Sequence, residues 1–204
     1  MKIFRKLYDW VLSWAEHPYG AWALFILSFA EASFFPIPPD PLLIALILGA
    51  QAKAFKFALN CTVASVLGAI AGYLLGGILW WAEPSIPSGF ANFFYTNIPG
   101  FTPAAFEGVQ AMFDQWNFWV VFTAGFTPIP FKLITIAAGA CQINFLMFFI
   151  GALISRAARF FLVAWLIWKY GAQIKIFIDK YFNLISIAFV VLLLGGFLLI
   201  KYAL

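Results

Sequence analysis

The stretch Phe35-Pro36-Ile37-Pro38-Pro39-Asp40-Pro41 decides how this 204-residue chain is read. Pro36, Pro38, Pro39 and Pro41 cannot lie inside a continuous helix, because each lacks an amide donor and clashes with the preceding turn. The flanks on both sides are apolar. Residues 19–35 carry Glu31 as their one charge, and residues 42–52 carry none. The whole chain is 65% hydrophobic, 21% aromatic and only 10% charged, with a mean hydropathy of +0.97. A water-soluble domain is about 25% charged, so this chain has too little polar surface for water and fits a bilayer. In a bilayer the 11 residues 42–52 rise only about 16 Å, against a hydrocarbon core of about 30 Å. The economical reading is a re-entrant hairpin: a helix enters, breaks at the prolines, and a half-helix returns to the side of entry.

The pattern then recurs. Residues 118–126 are apolar, Thr127-Pro128-Ile129-Pro130-Phe131-Lys132 breaks them, and residues 132–142 form a second piece too short to cross. Each broken segment precedes a full-length apolar stretch, residues 57–82 in the first half and 145–169 in the second. Interrupted apolar segments at corresponding places in two halves point to an internal repeat with its binding site at the repeat interface. Gly68, Gly72 and Gly76 recur every four residues in the first of these stretches and predict close helix packing.

The expected fold is therefore an all-α integral membrane protein. It contains an inverted-topology repeat with two opposed re-entrant helical hairpins, about three full transmembrane helices, and interfacial amphipathic helices. Residues 1–17 form an interfacial helix with a basic start, not a cleaved signal, because Asp9 and Glu16 interrupt the apolar run. Residues 18–82 make the first repeat, broken at 36–41. Residues 83–117 make an extracytoplasmic loop with a short amphipathic helix at 104–115. Residues 118–170 make the second repeat, broken at 128–130. Residues 171–204 hold a cytoplasmic loop and a last transmembrane helix over 184–200.

Charge supports this layout. The formal charge is +4 and the pI about 9.1, but the basic residues are scattered and sit at segment ends, which argues against nucleic acid. With both hairpins returning, Lys2, Arg5, Lys6, Lys53, Lys56, Lys169, Lys175 and Lys180 share one face, whereas residues 83–117 hold only Glu83, Glu107 and Asp114. The positive-inside rule assigns the first face, and the N-terminus, to the cytoplasm. Lys201 falls on the other side.

Five charges are left at membrane depth: Glu31, Asp40, Lys132, Arg156 and Arg159. Each would cost at least about 2.5–3.5 kcal/mol facing lipid at a helix centre, so they are expected to face an interior cavity and one another. Asp40 and Lys132 hold equivalent places at the two breaks. Both half-helices start at the breaks, so their amide-rich, positive ends favour an anion. With Lys132, Arg156 and Arg159 added, a phosphate-sized group suits the site better than a cation, and the two arginines, three apart on one helix face, suit bidentate grip. Desolvation and a nearby cation act on a buried carboxylate in opposite senses, which makes Glu31 and Asp40 candidates for proton exchange near neutral pH. A salt-bridge cluster that only fixes the fold is the plainer alternative.

Enzymatic chemistry has no support. His17, the one histidine, lies beside Pro18 without metal-ligand or nucleophile neighbours, and the chain has no P-loop, GxSxG or HExxH. No cofactor and no metal are expected. Cys61 and Cys141 lack metal or redox spacing and are expected to pack as small apolar residues. Trp80, Trp81, Trp165 and Trp168 are placed as interfacial anchors.

The run Glu31-Ala32-Ser33-Phe34-Phe35-Pro36-Ile37-Pro38-Pro39-Asp40, with its half-helix ending at Gly49, resembles the first motif of the DedA family, also called the SNARE-associated or VTT domain. The run Gly125-Phe126-Thr127-Pro128-Ile129-Pro130-Phe131-Lys132, ending at Ala138-Gly139, resembles the second, and the chain is closest to the YqaA-like branch. The resemblance spans about residues 19–170. It implies two opposed re-entrant hairpins, movement of lipids between leaflets, and, for bacterial members, recycling of undecaprenyl phosphate and dependence on the proton motive force. The family's two acids fall on Glu31 and Asp40. The second motif departs from the pattern, with Gly125 and Lys132 near the places of the arginines that flank its proline; Arg156 and Arg159 on the next helix are the candidates to replace them. The expected function is a transporter, scramblase or flippase for a phosphate-bearing lipid in a bacterial inner membrane, possible as a homo-oligomer, with protons and lipid head groups as partners. The alternatives are a proton-coupled carrier of a small ion or solute, and a non-transporting membrane assembly factor.

Overall fold

A computed structural model describes residues 14, 17–34, 37–83, 85–97, 102–127, 130–171 and 173. Two long helices organise it. Helix α3, Ala54–Trp80, follows a short 3-10 turn at Gln51–Lys53, and helix α7 is Phe145–Tyr170. At 1.5 Å per residue each is about 40 Å long, and among the described residues these two are long and apolar enough to cross a membrane. Neither contains a proline. Asn144 caps α7, its side chain accepting from the Met147 amide at 3.0 Å.

The short helices stop where the prolines require. Helix α1, Gly20–Ser33, ends just before the first proline cluster, and α2, Asp40–Gly49, starts within it with Pro41 in its first turn, where a fixed φ and a missing amide do no harm. Helix α6, Phe131–Ala140, starts directly after Pro130. Both α2 and α6 have 10 residues and rise about 15 Å. Pro36 and Pro128 lie outside the described residues.

Packing repeats between the halves. Helix α1 lies along α3, and the helix before the second break, α5 (Pro103–Phe126), lies along α7. Each short helix also reaches the long helix of the other half: α2 packs on α7, and α6 on α3. Glycine makes the second contact possible. A Cβ on Gly76 would collide with the Ile136 carbonyl oxygen, one on Gly139 with the Tyr73 carbonyl oxygen, and one on Gly68 with the Phe29 carbonyl oxygen. Backbone meets backbone at these crossings.

The buried apolar side chains form two clusters. One gathers Leu24, Leu27, Ala58, Cys61, Phe160 and Ala164; the other gathers Ala32, Ala69, Phe131, Phe148 and Ala152. On α1, α3 and α7 the residues that separate them are Ser28 and Glu31, Ser65, and Arg156. A polar layer thus divides an apolar protein across its middle.

Two features differ from the sequence expectation. The amphipathic segment 104–115 and the apolar segment 118–126 are one continuous helix, α5, capped by Thr102, which accepts from the Ala105 amide at 3.1 Å. No proline lies between them to end the first, and the change from polar to apolar marks a change of surroundings along one helix. The region before it is also more ordered than a loop. Strands β1 (Trp81–Glu83) and β2 (Ile86–Pro87) pair antiparallel, and helix α4 (Gly89–Asn97) follows. Trp80 stacks on Phe106 there, with Tyr95 edge-on to both and Phe94 tilted against Trp80. Both cysteines are free and buried. The expected helices at 1–17 and 184–200 lie largely or wholly outside the described residues.

Candidate functional site

The five charges that the sequence places inside apolar segments, Glu31, Asp40, Lys132, Arg156 and Arg159, are carried by both halves of the chain. Glu31 stands near the end of α1 and Asp40 at the first residue of α2, so the first break separates them. An acid in a helix's first turn is favoured by the backbone dipole. Lys132 is the second residue of α6. Arg156 and Arg159 lie three residues apart on α7, on one face.

Each arginine takes a different acid. Arg156 Nη2 donates to Glu31 Oε2 at 2.8 Å, and its Nε donates to Ser65 Oγ on α3 at 2.7 Å. Its guanidinium also lies 4.6 Å from the Phe160 ring centre and 5.0 Å from that of Phe131, the first residue of α6. Cation–π contact in a desolvated place adds to the ion pair. One buried side chain therefore joins α1, α3, α6 and α7. Arg159 Nη2 donates to Asp40 Oδ2 at 2.9 Å, and its Nη1 donates to the Thr127 carbonyl at 2.9 Å. Thr127 is the last described residue before the second break, so Arg159 bridges the two breaks directly.

Lys132 is half-buried and has no ion pair within 4 Å among the described residues. It is within electrostatic reach of Glu31. The structure thus brings Glu31 to Arg156 and Asp40 to Arg159, and among the described residues leaves Lys132 without a carboxylate partner. Pro38, Pro39, Pro41 and Pro130 lie at the two breaks. Arg156 has little freedom to take a ligand, since acid, serine and two rings already surround it.

The buried hydroxyls near this layer are satisfied locally. Ser33 Oγ has the Phe29 and Gly68 carbonyls at 2.7 and 3.0 Å for its one proton. Thr135 Oγ1 on α6 has the Ala32 and Lys132 carbonyls at 2.9 and 3.0 Å. Thr135 therefore fastens the second short helix to the end of α1. Among the described residues no three His, Cys, Asp or Glu side chains converge as a metal site.

Sequence reasoning missed Ser65, Thr127, Phe131 and Phe160. A serine on a small-residue helix face and two of 26 phenylalanines carry no distinguishing signal. Thr127 and Phe131 had a hint, as the residues directly before and after the second proline break.

A family model described as the VTT domain matches residues 37–169. A Haemophilus influenzae protein, described only as uncharacterized, is 37% identical over 203 residues, covering 98% of this chain and 100% of its own length. An uncharacterized protein of Histophilus somni is 40% identical over 179 residues, 86% of this chain and 88% of its own. An uncharacterized protein of the archaeon Methanocaldococcus jannaschii is 26% identical over 149 residues, 69% of this chain and 79% of its own. No solved structure matches.

Proposed function

The chain belongs to the VTT domain family, also called DedA, a family of membrane proteins, and on that premise we propose that it moves a phosphate-bearing lipid between the leaflets of a bacterial inner membrane. The single observation that carries this reading is the Arg159 bridge, which holds Asp40 and the Thr127 carbonyl at the two breaks within one side chain's reach. Such a bridge makes the relative position of the two broken segments depend on one exchangeable ion pair.

In this reading the two broken segments are opposed re-entrant hairpins of an inverted repeat, and the swapped packing of α2 on α7 and α6 on α3 supports it. Lys132 and Arg159 receive the phosphate, while Arg156, buried with Glu31, holds the four helices around them. A phosphate oxygen that replaces Asp40 on Arg159 frees one break from the other. Neutralising Asp40 by substitution should have the same effect, since it removes the charge that holds Arg159.

Reconstitution into liposomes with labelled undecaprenyl phosphate and labelled phospholipids tests the proposal. Flipping by the wild type that falls at least about tenfold in Arg159→Ala, a loss of about 1.4 kcal/mol in the transition state, supports it. Solute flux without flipping favours the small-solute carrier, and neither activity favours the assembly factor.

A further inference from the structure

In an α-helix each carbonyl accepts from the amide four residues on. For Ala32, in the last turn of α1, that residue is Pro36, which has no amide hydrogen to give. The carbonyl nevertheless has a donor, and it comes from the other half of the chain: Thr135 Oγ1 lies 2.9 Å from it across 103 residues of sequence. Thr135 is fully buried. Hydroxyl and carbonyl at such a place are each costly to leave unpaired, so each depends on the other.

Thr135 Oγ1 also has the Lys132 carbonyl at 3.0 Å, but a hydroxyl carries one proton. The Lys132 carbonyl already faces the Ile136 amide in the helical pattern of α6. The Ala32 carbonyl has no amide from residue 36, so the proton goes to Ala32. Helix α3 keeps a slot for this bond. A Cβ on Gly72 would collide with Thr135 Oγ1 and crowd the Ala32 carbonyl oxygen.

The ends of α6 are held by different means. At its far end Trp81 Nε1 donates to the Ala140 carbonyl at 2.7 Å, and the Tyr73 hydroxyl donates to the Ile143 carbonyl, just beyond the helix, at 2.6 Å. At its start Phe131 lies under the Arg156 guanidinium, a contact less directional than a hydrogen bond. Thr135 stands one turn after Lys132, and Ala32 directly follows Glu31. The hydroxyl thus sets the register of the start of α6, which carries Lys132, against the end of α1, which carries Glu31.

We propose that Thr135 is a positioning residue of the anion site: by giving the Ala32 carbonyl the donor that Pro36 lacks, it fixes the start of α6 and so the place of Lys132 relative to Glu31. Thr135 acts on an arriving phosphate only through Lys132. Its effect on lipid rests on the reading of Lys132 as a phosphate receiver, whereas its effect on the place of Lys132 does not.

Two measurements on the full chain test this. Thr135→Val keeps the shape of the side chain without the hydroxyl, and Thr135→Ser keeps the hydroxyl. In detergent, brief acylation of the lysines is read by peptide mass spectrometry. Lys132 should be modified about fivefold faster in Thr135→Val, the factor that one hydrogen bond supports, and at close to the wild-type rate in Thr135→Ser. The exposed Lys53 should be modified equally in all three proteins. In liposomes, Thr135→Val should raise the amount of undecaprenyl phosphate that gives half-maximal flipping several-fold and leave the maximal rate unchanged. In a Lys132→Gln background it should raise that amount no further. Should Thr135→Val fail to fold, Thr135→Ala takes its place with the same expectations. Unchanged acylation of Lys132, or acylation as fast in Thr135→Ser as in Thr135→Val, overturns the proposal whether or not the chain flips lipid. A lower maximal rate at an unchanged half-maximal amount, or an effect that persists in full without Lys132, also overturns it, because either makes Thr135 only a structural support. A wild type that flips no lipid removes the phosphate reading and leaves the acylation to decide the place of Lys132.

Discussion

The two ion pairs of α7 use the same chemistry one turn apart, and their surroundings make them different devices. In the pair of Arg156 with Glu31 the side chains are 2% and 13% exposed; in the pair of Arg159 with Asp40 both are 20% exposed. Arg156 has Ser65 and two aromatic rings besides its acid. Arg159 has one backbone carbonyl. The inner pair is a fixed pin through four helices, and the outer one is a clasp between the two breaks that solvent and ligand can reach.

The hardest test of this contrast is Arg156→Ala. Removing one partner of a buried pair leaves the other charge stranded and costs about 3–5 kcal/mol. Thermal unfolding in detergent should show a variant that is barely folded or fails to accumulate. The double variant Glu31→Leu with Arg156→Met removes both charges and should regain most of that loss, because an apolar pair of similar volume is often neutral. If Arg156→Ala unfolds like the wild type, the pin is not a pin and the contrast fails.

Arg159→Ala should cost less, about 1.5–3 kcal/mol for a charge-assisted hydrogen bond, and leave a folded protein that has lost flipping. The acids refine the comparison. Asp40→Asn and Glu31→Gln should each reduce the dependence of flipping on a proton gradient, measured in liposomes with an imposed gradient. Their stability losses should stay below those of the arginine deletions, since an amide oxygen still accepts from the guanidinium. Gradient dependence retained in both variants sinks the proton-coupling idea.

Much of this contrast was legible in the sequence, but not the pairing. Prolines at 36–41 and 128–130 mark where helices must stop, and charge inside apolar stretches marks what must be sheltered. Both signals are local, because proline and an ionised group act wherever they stand. Which acid meets which arginine is not local. Glu31 and Asp40 are split by a break whose geometry the sequence leaves open, and only the packing of α1, α2 and α3 around α7 assigns each its partner. The continuity of α5 was missed for a related reason: residues 103–126 change from polar to apolar without any residue that ends a helix, so composition suggested a boundary the backbone does not have. The ribbon at Trp81–Glu83 and Ile86–Pro87 is too short for strand alternation to register.

The smallest expected effect on stability belongs to Lys132→Gln. Asp40 and Lys132 stand at corresponding starts of α2 and α6, yet an acid is favoured at a helix start and a lysine is disfavoured there. Asp40 is held by Arg159, while Lys132 has no acid among the described residues to leave stranded. Its removal strands no described acid and relieves an unfavourable charge at a helix start, so stability should change less than in Arg159→Ala, with the sign toward stabilisation. In the proposed function Lys132 receives the arriving anion, so the flipping rate of Lys132→Gln should fall several-fold at limiting lipid and recover as lipid is raised. A loss of stability as large as that of Arg159→Ala would instead make Lys132 a third pinned charge, and the division of the site into a fixed inner pair and an exchangeable outer edge would have to be redrawn.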